Sequence, residues 1–299
     1  MSFTNFICGK LLGDGCITKQ EGRKPRLQFM HRAEDFGWAL HCYEQLKNGI
    51  PVNPPAYRKV LDSRLTKRFS ESFVVQSRTN EVITALYEIW YPGGKKHLPK
   101  QWIQQHLDER SLAWWYQDDG HLKIVKGVAS KIILSTDSFT KAENEFLLQM
   151  LWRKWKLQFK MDGQNRLILY DKFQIHYFLN LVSPWLHESM KRKALPVQPF
   201  RPIAKRTTVY LPTTYQIEKP TAEINDKLSS LLSLFIDPVT NTVCNDDIFH
   251  TFLPFRAIQK EVNSYQIIIK DEHRINLARI RQQTGLTISQ LAEYCFEKN

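Results

Sequence analysis

Two successive stretches of about one hundred residues predict the same order of elements, and an internal repeat constrains a fold more than any single motif. In the first, residues 4–13 predict a helix that ends near Gly13–Gly15. Residues 16–31 predict a hairpin broken by "KQEGRKP", a turn signal between strand-like runs. Residues 33–48 predict a helix, with Phe36, Leu40, Tyr43 and Leu46 at helical spacing. A second hairpin follows over 57–78, then a helix over 79–91 stopped by "YPGG". In the second stretch a helix over 109–119 ends at Gly120, and a hairpin covers 121–136. "TKAE" at Thr140–Glu143 is a capping box that opens a helix over 140–156. A hairpin over 157–171 turns at "DGQN", and a helix over 172–182 stops at "SP". The halves close on nearly the same words, "KKHLP" (95–99) and "RKALP" (192–196). The chain therefore reads α-β-β-α-β-β-α twice.

Each half opens on an apolar helix that runs into an acid and a glycine: "ICGKLLGDG" (7–15) and "LAWWYQDDG" (112–120). Gly9 and Gly13 are four apart and share a helix face. Small residues at that spacing let two backbones approach closely. Asp14 and Asp119 then fall at helix C-termini, where the dipole is already negative. Two such helices packed side by side bring the acids together, and like charges repel unless a cation sits between them. Paired carboxylates with a few carbonyls suit Mg²⁺ (or Mn²⁺). The competing reading makes Gly15 and Gly120 helix caps and the acids their solvated neighbours. Matching placement in both halves favours the metal site.

Charge points to a partner. The 299 residues hold 42 Lys+Arg against 30 Asp+Glu, a net of +12. From Arg201 onward there are 12 basic and 11 acidic residues, so nearly all of the excess lies in the first 200. A basic body suits a polyanion. No apolar run approaches the roughly 20 residues of a membrane span. The first residues, "MSFTNFICGK", lack the regions of a signal peptide. The five cysteines form no CxxC or Cys/His zinc pattern. They read as free thiols of an intracellular, reducing compartment.

These features together resemble the LAGLIDADG homing endonucleases. The nine-residue motif maps onto Ile7–Gly15 and Leu112–Gly120; "WYPGGKKHLP", "ILSTDSFTKAENEFL" and "SPWLHESMKRKAL" are similar to the single-chain, intron-encoded branch. The resemblance covers about residues 5–196. Motif two departs from it: Trp114 and Asp118 stand where motif one has Gly9 and Gly13, so the helix packing is expected to be asymmetric. The resemblance implies an α+β fold, a pseudo-twofold αββαββα saddle with two antiparallel four-stranded sheets, plus a C-terminal extension. It implies that the sheets lie in the major groove of duplex DNA. The motif aspartates would hold divalent metal, and each strand would be cut to leave short 3′ overhangs by metal-assisted hydrolysis.

On this basis Asp14 and Asp119 are the expected metal ligands, assisted by the carbonyls of Gly13 and Asp118. The family places a lysine near each scissile phosphate, and the repeated closing words point to Lys96 and Lys193. A cation there stabilises charge building on phosphate. His31 and Asp137 stand where the second strand of each half meets its helix, a place for a polar residue that orders water or metal; an ordinary surface role is the alternative. Expected DNA contacts are Arg23, Lys24, Arg26 and Gln28 in the first hairpin, and Arg58, Arg64, Lys67 and Arg68 in the second. Lys123, Lys126 and Lys131 serve the second half. Some would hold phosphates and others read base edges. Trp114, Trp115, Trp152 and Trp155 read as core.

The expected organisation is one half over 1–100, the other over 101–196, an extension without a motif over 197–264, and a strand–helix–helix tail over 265–299. That tail is similar in pattern to ribbon–helix–helix modules, which pair strands between copies; a two-helix piece packed on the body is the other reading. The expected protein is a monomeric, Mg²⁺-dependent, site-specific endonuclease of double-stranded DNA, or a dimer if the tail is ribbon–helix–helix-like. The alternatives are a maturase acting on intron RNA and a DNA-binding regulator on an inactive scaffold. Intact Asp14 and Asp119 argue against the regulator.

Overall fold

The computed structural model describes residues 3–235, 248–253 and 261–298. They form two compact units. The first holds residues 1–124, 130–170 and 178–195; the second holds 125–129, 171–177 and 196–299.

In the first unit, α1 (Phe3–Leu12) leads into β1 (Cys16–Thr18), β2 (Arg26–Arg32), α2 (Phe36–Leu46), β3 (Ala56–Leu61), β4 (Phe69–Gln76) and α3 (Glu81–Trp90). A short helix, α4 (Lys100–His106), precedes the second round. Then come α5 (Glu109–Asp119), β5 (Gly120–Val125), β6 (Val128–Leu134), α6 (Lys141–Trp155), β7 (Lys160–Met161), β8 (Leu167–Leu169) and α7 (Lys172–Val182); the tip of the β5–β6 hairpin and α7 up to Tyr177 are counted with the second unit. Each round builds one antiparallel four-stranded sheet, in the orders β1-β2-β4-β3 and β5-β6-β8-β7. The identical order is the duplication made physical. The expected capping box is in place, Thr140 and Glu143 exchanging hydrogen bonds at the start of α6; Asp108 and Ser111 do the same for α5, a cap not read from the sequence. Helix α4 was not expected; seven residues after a proline carry too little periodicity to read.

Alternation along β2 sets its two faces. Leu27, Phe29 and His31 are buried, while Arg26, Met30 and Arg32 are exposed and Gln28 lies partly so. Register puts Gln28 opposite Gln76 and Met30 opposite Val74. Arg58 lies opposite Ser72 on the same open face.

α1 and α5 pack together through the glycines of motif one. A Cβ built on Gly9 would lie 2.5 Å from the Ser111 carbonyl oxygen and 2.7 Å from Trp114 Cβ. One on Gly13 would lie 2.5 Å from Asp118 Cβ. The asymmetry expected from motif two is thus direct: the small residues of α1 admit the large residues of α5. Gly9→Ala is expected to lower stability by about 1–3 kcal/mol, the scale of overpacking, measured as a fall in Tm. The gain of about 1 kcal/mol in helix propensity does not offset a clash against backbone. An unchanged or raised Tm would contradict the packing argument.

Trp114, Trp115 and Trp155 are buried as expected. Trp152 is not: it is 39% exposed, with the Lys156 ammonium 5.2 Å from its ring centre. On α6 it follows Leu151 directly, about 100° further round the helix, which carries it past the edge of the buried stripe of Leu147, Leu151 and Trp155. Cys8, Cys16 and Cys42 are free thiols; Cys295 is buried and donates from Sγ to the Leu291 carbonyl; Cys244 lies outside the described residues. Among the described residues no helix is long and apolar enough to cross a membrane.

The second unit contains β9 (Arg206–Pro212), α8 (Pro220–Phe235), α9 (Ile248–Phe252), β10 (Val262–Ile268), α10 (Asp271–Thr284) and α11 (Ile288–Lys298). β9 and β10 pair antiparallel over seven residues, from Val262↔Pro212 to Ile268↔Arg206. The strand–helix–helix tail is therefore present, but its strand is paired within the chain. β9 and α8 lie in the stretch that carried no sequence motif, of which 236–247 and 254–260 are outside the described residues. α11 is buried along most of its length, and Gly285 ends α10 with a left-handed φ of 73°.

Candidate metal and catalytic centre

The C-terminal ends of α1 and α5 carry the two motif aspartates. Asp14 follows α1 after Gly13. Its carboxylate takes a hydrogen bond from His31, Nδ1 to Oδ2 at 3.2 Å. His31 Nε2 lies 2.9 Å from Lys10 Nζ. An ammonium can only donate, so Nε2 accepts and the proton on the ring is at Nδ1, directed at Asp14. Burial opposes the Asp14 charge, but His31, Lys10 and Lys193 outweigh it and hold the carboxyl below the ordinary range.

Asp119 stands in contrast. Its side chain makes no hydrogen bond or ion pair among the described residues. Burial, then the charges of Asp14 and Asp118, push its carboxyl up to about 7. A half-buried acid with no partner, raised by a neighbouring acid, is the donor arrangement that a hard divalent cation relieves. The donor atoms that lie within 4.8 Å of one another here are those of Asp14, His31 and Asp118, and an acid with the chemistry of Asp119 beside them suits a cation.

Asp118 does something else. Its side chain is fully buried. It accepts two hydrogen bonds from Lys10 Nζ, at 2.7 and 3.0 Å, one from Trp38 Nε1 at 2.8 Å and one from the Asp14 amide at 3.2 Å. Lys10 is itself 0% exposed and sits 4.3 Å from the ring centre of Phe29. Burial works against its charge, yet Asp118, with smaller help from Cys42 and Asp14, holds its pKa above the usual lysine value. Asp14, His31 and Asp118 all offer oxygens or nitrogens within 4.8 Å of one another. The Asp118 carboxylate is saturated by Lys10 and Trp38, so it serves the pair with Lys10 rather than an ion.

The two closing lysines both hold backbone carbonyls. Lys96 Nζ donates to the Gly15 carbonyl at 3.1 Å. Lys193 Nζ donates to the carbonyls of Tyr116, Gln117 and Asp118, at 3.1, 2.6 and 3.2 Å. Lys193 thus caps the last turn of α5, where the dipole welcomes a cation, while Lys96 holds a carbonyl in the link between α1 and β1. Burial lowers both pKa values; Asp118 opposes the fall at Lys193, which settles at about 8. The backbone carrying Lys193 is fixed by Arg192, whose guanidinium grips Asp35 at 2.7 and 2.9 Å, and by Tyr116, whose hydroxyl donates to the Lys193 carbonyl at 2.7 Å.

Asp137 is exposed in the turn after β6, and no described contact joins it to this centre. The Asp118 carbonyl already receives Lys193, while the Gly13 carbonyl carries no described hydrogen bond. Sequence reasoning missed Lys10 and Trp38. A charged residue in the middle of an apolar helix, as in "ICGKLL", is the signal that pointed to Lys10; a buried ammonium demands a buried acid.

The basic hairpins are mostly as expected on the surface. Arg23, Lys24, Arg26, Arg58, Lys67 and Arg68 are exposed. Arg64 is exposed and held by Asp62 through two guanidinium hydrogen bonds of 2.9 Å. In the second half Lys123 and Lys126 are exposed, and the Lys131 ammonium lies 5.7 Å from the Tyr170 ring centre.

The sequence matches the model of the LAGLIDADG DNA endonuclease family over residues 4–178. The intron-encoded endonuclease ai4 of Dictyostelium discoideum is 31% identical over 156 residues, 49% of this chain and 93% of that protein. An uncharacterised protein of Methanocaldococcus jannaschii is 31% identical over 201 residues, 63% of this chain and 71% of that protein. Among solved structures, the homing endonuclease I-WcaI bound to its DNA recognition sequence aligns with a TM-score of 0.58 at 23% identity, covering 66% of this chain and 88% of that one. That likeness is one of fold, and it matches the two four-stranded sheets. With the family pattern spanning more than half of its residues and two motif helices paired end to end, the chain belongs to the LAGLIDADG DNA endonuclease family.

Proposed function

We propose that the protein is a site-specific endonuclease that hydrolyses one phosphodiester in each strand of duplex DNA. The observation that carries this reading is the unpartnered, half-buried carboxyl of Asp119 beside Asp14 at the paired ends of α1 and α5. Both are proposed to hold a divalent cation, Mg²⁺ or Mn²⁺. Such a cation supplies Lewis-acid polarisation of the phosphate and acidifies water at neutral pH.

The chain's own residues supply the rest. His31 orients the Asp14 carboxylate and keeps it ionised. Lys96, held by the Gly15 carbonyl, and Lys193, held by the last carbonyls of α5, are proposed to place positive charge where a phosphorane-like transition state gathers negative charge. Lys193 keeps its proton below about pH 8, so it stays cationic at neutral pH. The open sheet faces, with Arg26, Gln28 and Arg58 in the first half and Lys123 and Lys126 in the second, are proposed to hold backbone phosphates and read base edges.

His31→Ala is expected to lower the cleavage rate about 10–100-fold, the scale of losing a group that orients a metal ligand. His31→Gln, which keeps a donor, should recover part of it. Equal losses in both variants would remove the orienting role.

The reading as a whole is tested by cleaving a randomised duplex library in Mg²⁺, with the Asp14→Asn/Asp119→Asn protein beside it. Discrete cuts with 3′ overhangs from the wild type alone support it. Absence of cuts, with duplex binding retained, refutes it.

A further inference from the structure

The second unit holds a pocket of about 370 Å³ that the proposed nuclease chemistry does not use. Lys172 and His176 of α7, Arg201, and Arg281 and Gln282 near the end of α10 line it. Among the described residues no aspartate or glutamate does. None of Lys172, Arg201 and Arg281 makes a side-chain hydrogen bond or an ion pair among the described residues. Elsewhere in this unit the exposed Lys205 and the half-buried Arg274 have found Asp271. Burial depresses the Arg281 pKa.

Three uncompensated cations on concave walls focus a positive potential. Such an arrangement is unfavourable alone and is relieved by an anion. Two guanidinium groups select for an anion with several oxygens in one plane or fork, which favours phosphate over a point charge. The pocket is also rigid. His176 Nδ1 donates to the Gln283 carbonyl at 2.9 Å. Gly285 packs so closely that an added Cβ would lie 2.8 Å from both His176 and the Lys172 carbonyl. Gln282 donates to the Gln198 carbonyl at 2.9 Å.

Its position names the source of the phosphate. The tip of the β5–β6 hairpin, Val125–Ala129, belongs to this unit. Gln198 donates to the Gly127 carbonyl at that tip, and Val128 lines the pocket. Lys123 and Lys126 on the same hairpin are the residues assigned to DNA in the second half.

We propose that this pocket is an additional anion site that takes a backbone phosphate of duplex DNA next to the β5–β6 hairpin. The inference rests on the reading that the hairpin meets DNA. It adds a sequence-independent contact outside the sheets, and it gives the second unit a role in affinity rather than in cleavage.

The test uses the full chain, a random-sequence duplex and EDTA, so that binding is read without cleavage. In the Arg201→Gln/Arg281→Gln protein, the slope of log K against log[salt] should fall by about 0.9 for each phosphate no longer neutralised, over about 50–200 mM salt. Arg201→Lys/Arg281→Lys should keep the slope. Inorganic phosphate should shift the NMR signals of the His176 ring in the wild type and not in the Gln variant. Lys172→Gln, read the same way, covers the case in which the double variant is misfolded by circular dichroism. An unchanged slope together with an unmoved His176 signal overturns the proposal. Loss of affinity for single-stranded RNA alone, with duplex binding intact, overturns the choice of DNA. Failure of the nuclease reading shows separately, as a wild type that cuts nothing.

Discussion

Asp119→Asn is expected to abolish cleavage and, in metal-free protein, to raise Tm. The loss of activity should reach at least about 10²–10³-fold, the scale of removing one preorganised electrostatic group at a reacting centre. The gain in stability follows from the missing partner. In the metal-free fold the Asp119 carboxyl sits at about 7, against 3.8 for an unperturbed aspartate. A carboxyl raised by the fold contributes stability at acid pH and loses it as pH climbs through that window. The difference in Tm between wild type and variant should therefore be small near pH 4 and widest above about pH 7. Added Mg²⁺ should raise the wild-type Tm most at the alkaline end, and should do little for the variant.

Asp14→Asn separates the two acids. Its carboxylate is already held by His31, so this variant should lose cleavage with no gain in Tm. Calorimetry across pH on the three proteins decides the matter. A variant of Asp119 that still cleaves at the wild-type rate would remove it from the centre. One that melts lower at pH 8 would show that the carboxyl has a partner after all.

Lys10→Met is the second large effect, and it acts on stability. It leaves the Asp118 carboxylate fully buried with only Trp38 and one amide to satisfy it. Breaking a buried pair by removing one partner typically costs about 3–5 kcal/mol. The double change Lys10→Met/Asp118→Asn should recover a large part of that loss, because the remaining site is neutral. A double-mutant cycle from denaturant titration measures the coupling, expected at about 0.5–3 kcal/mol. Additive losses would mean that the two groups do not support one another. The single change should also disturb cleavage, since Lys10 fixes the His31 tautomer that faces Asp14.

The two results share one cause. Motif one uses glycine at two interface positions, and motif two fills them with Trp114 and Asp118. Placing an acid in the helix interface requires a buried cation, and Lys10 on the opposite helix supplies it. The same cation reaches His31. The asymmetry of the interface is thereby passed to the site: Asp14 is tethered and Asp119 is free.

The sequence by itself determined the parts whose causes are local. Turn residues and periodicity placed the repeated helices and hairpins, and the Thr140–Glu143 box marked the start of α6 within four residues of chain. Repetition located Asp14 with Asp119 and Lys96 with Lys193, because each pair is written twice in matching surroundings. Tertiary structure alone decided which acid has a partner. Lys10 and Asp118 are 108 residues apart, and Trp38 and Asp118 are 80 apart; no local pattern links such positions until the two helices pack. The same holds for β9, whose partner β10 lies some fifty residues on, and for the cations that share a pocket without an acid. Local sequence specifies what each segment can become, while the burial of one charge beside another is a property of the packed chain, where desolvation makes every missing partner felt.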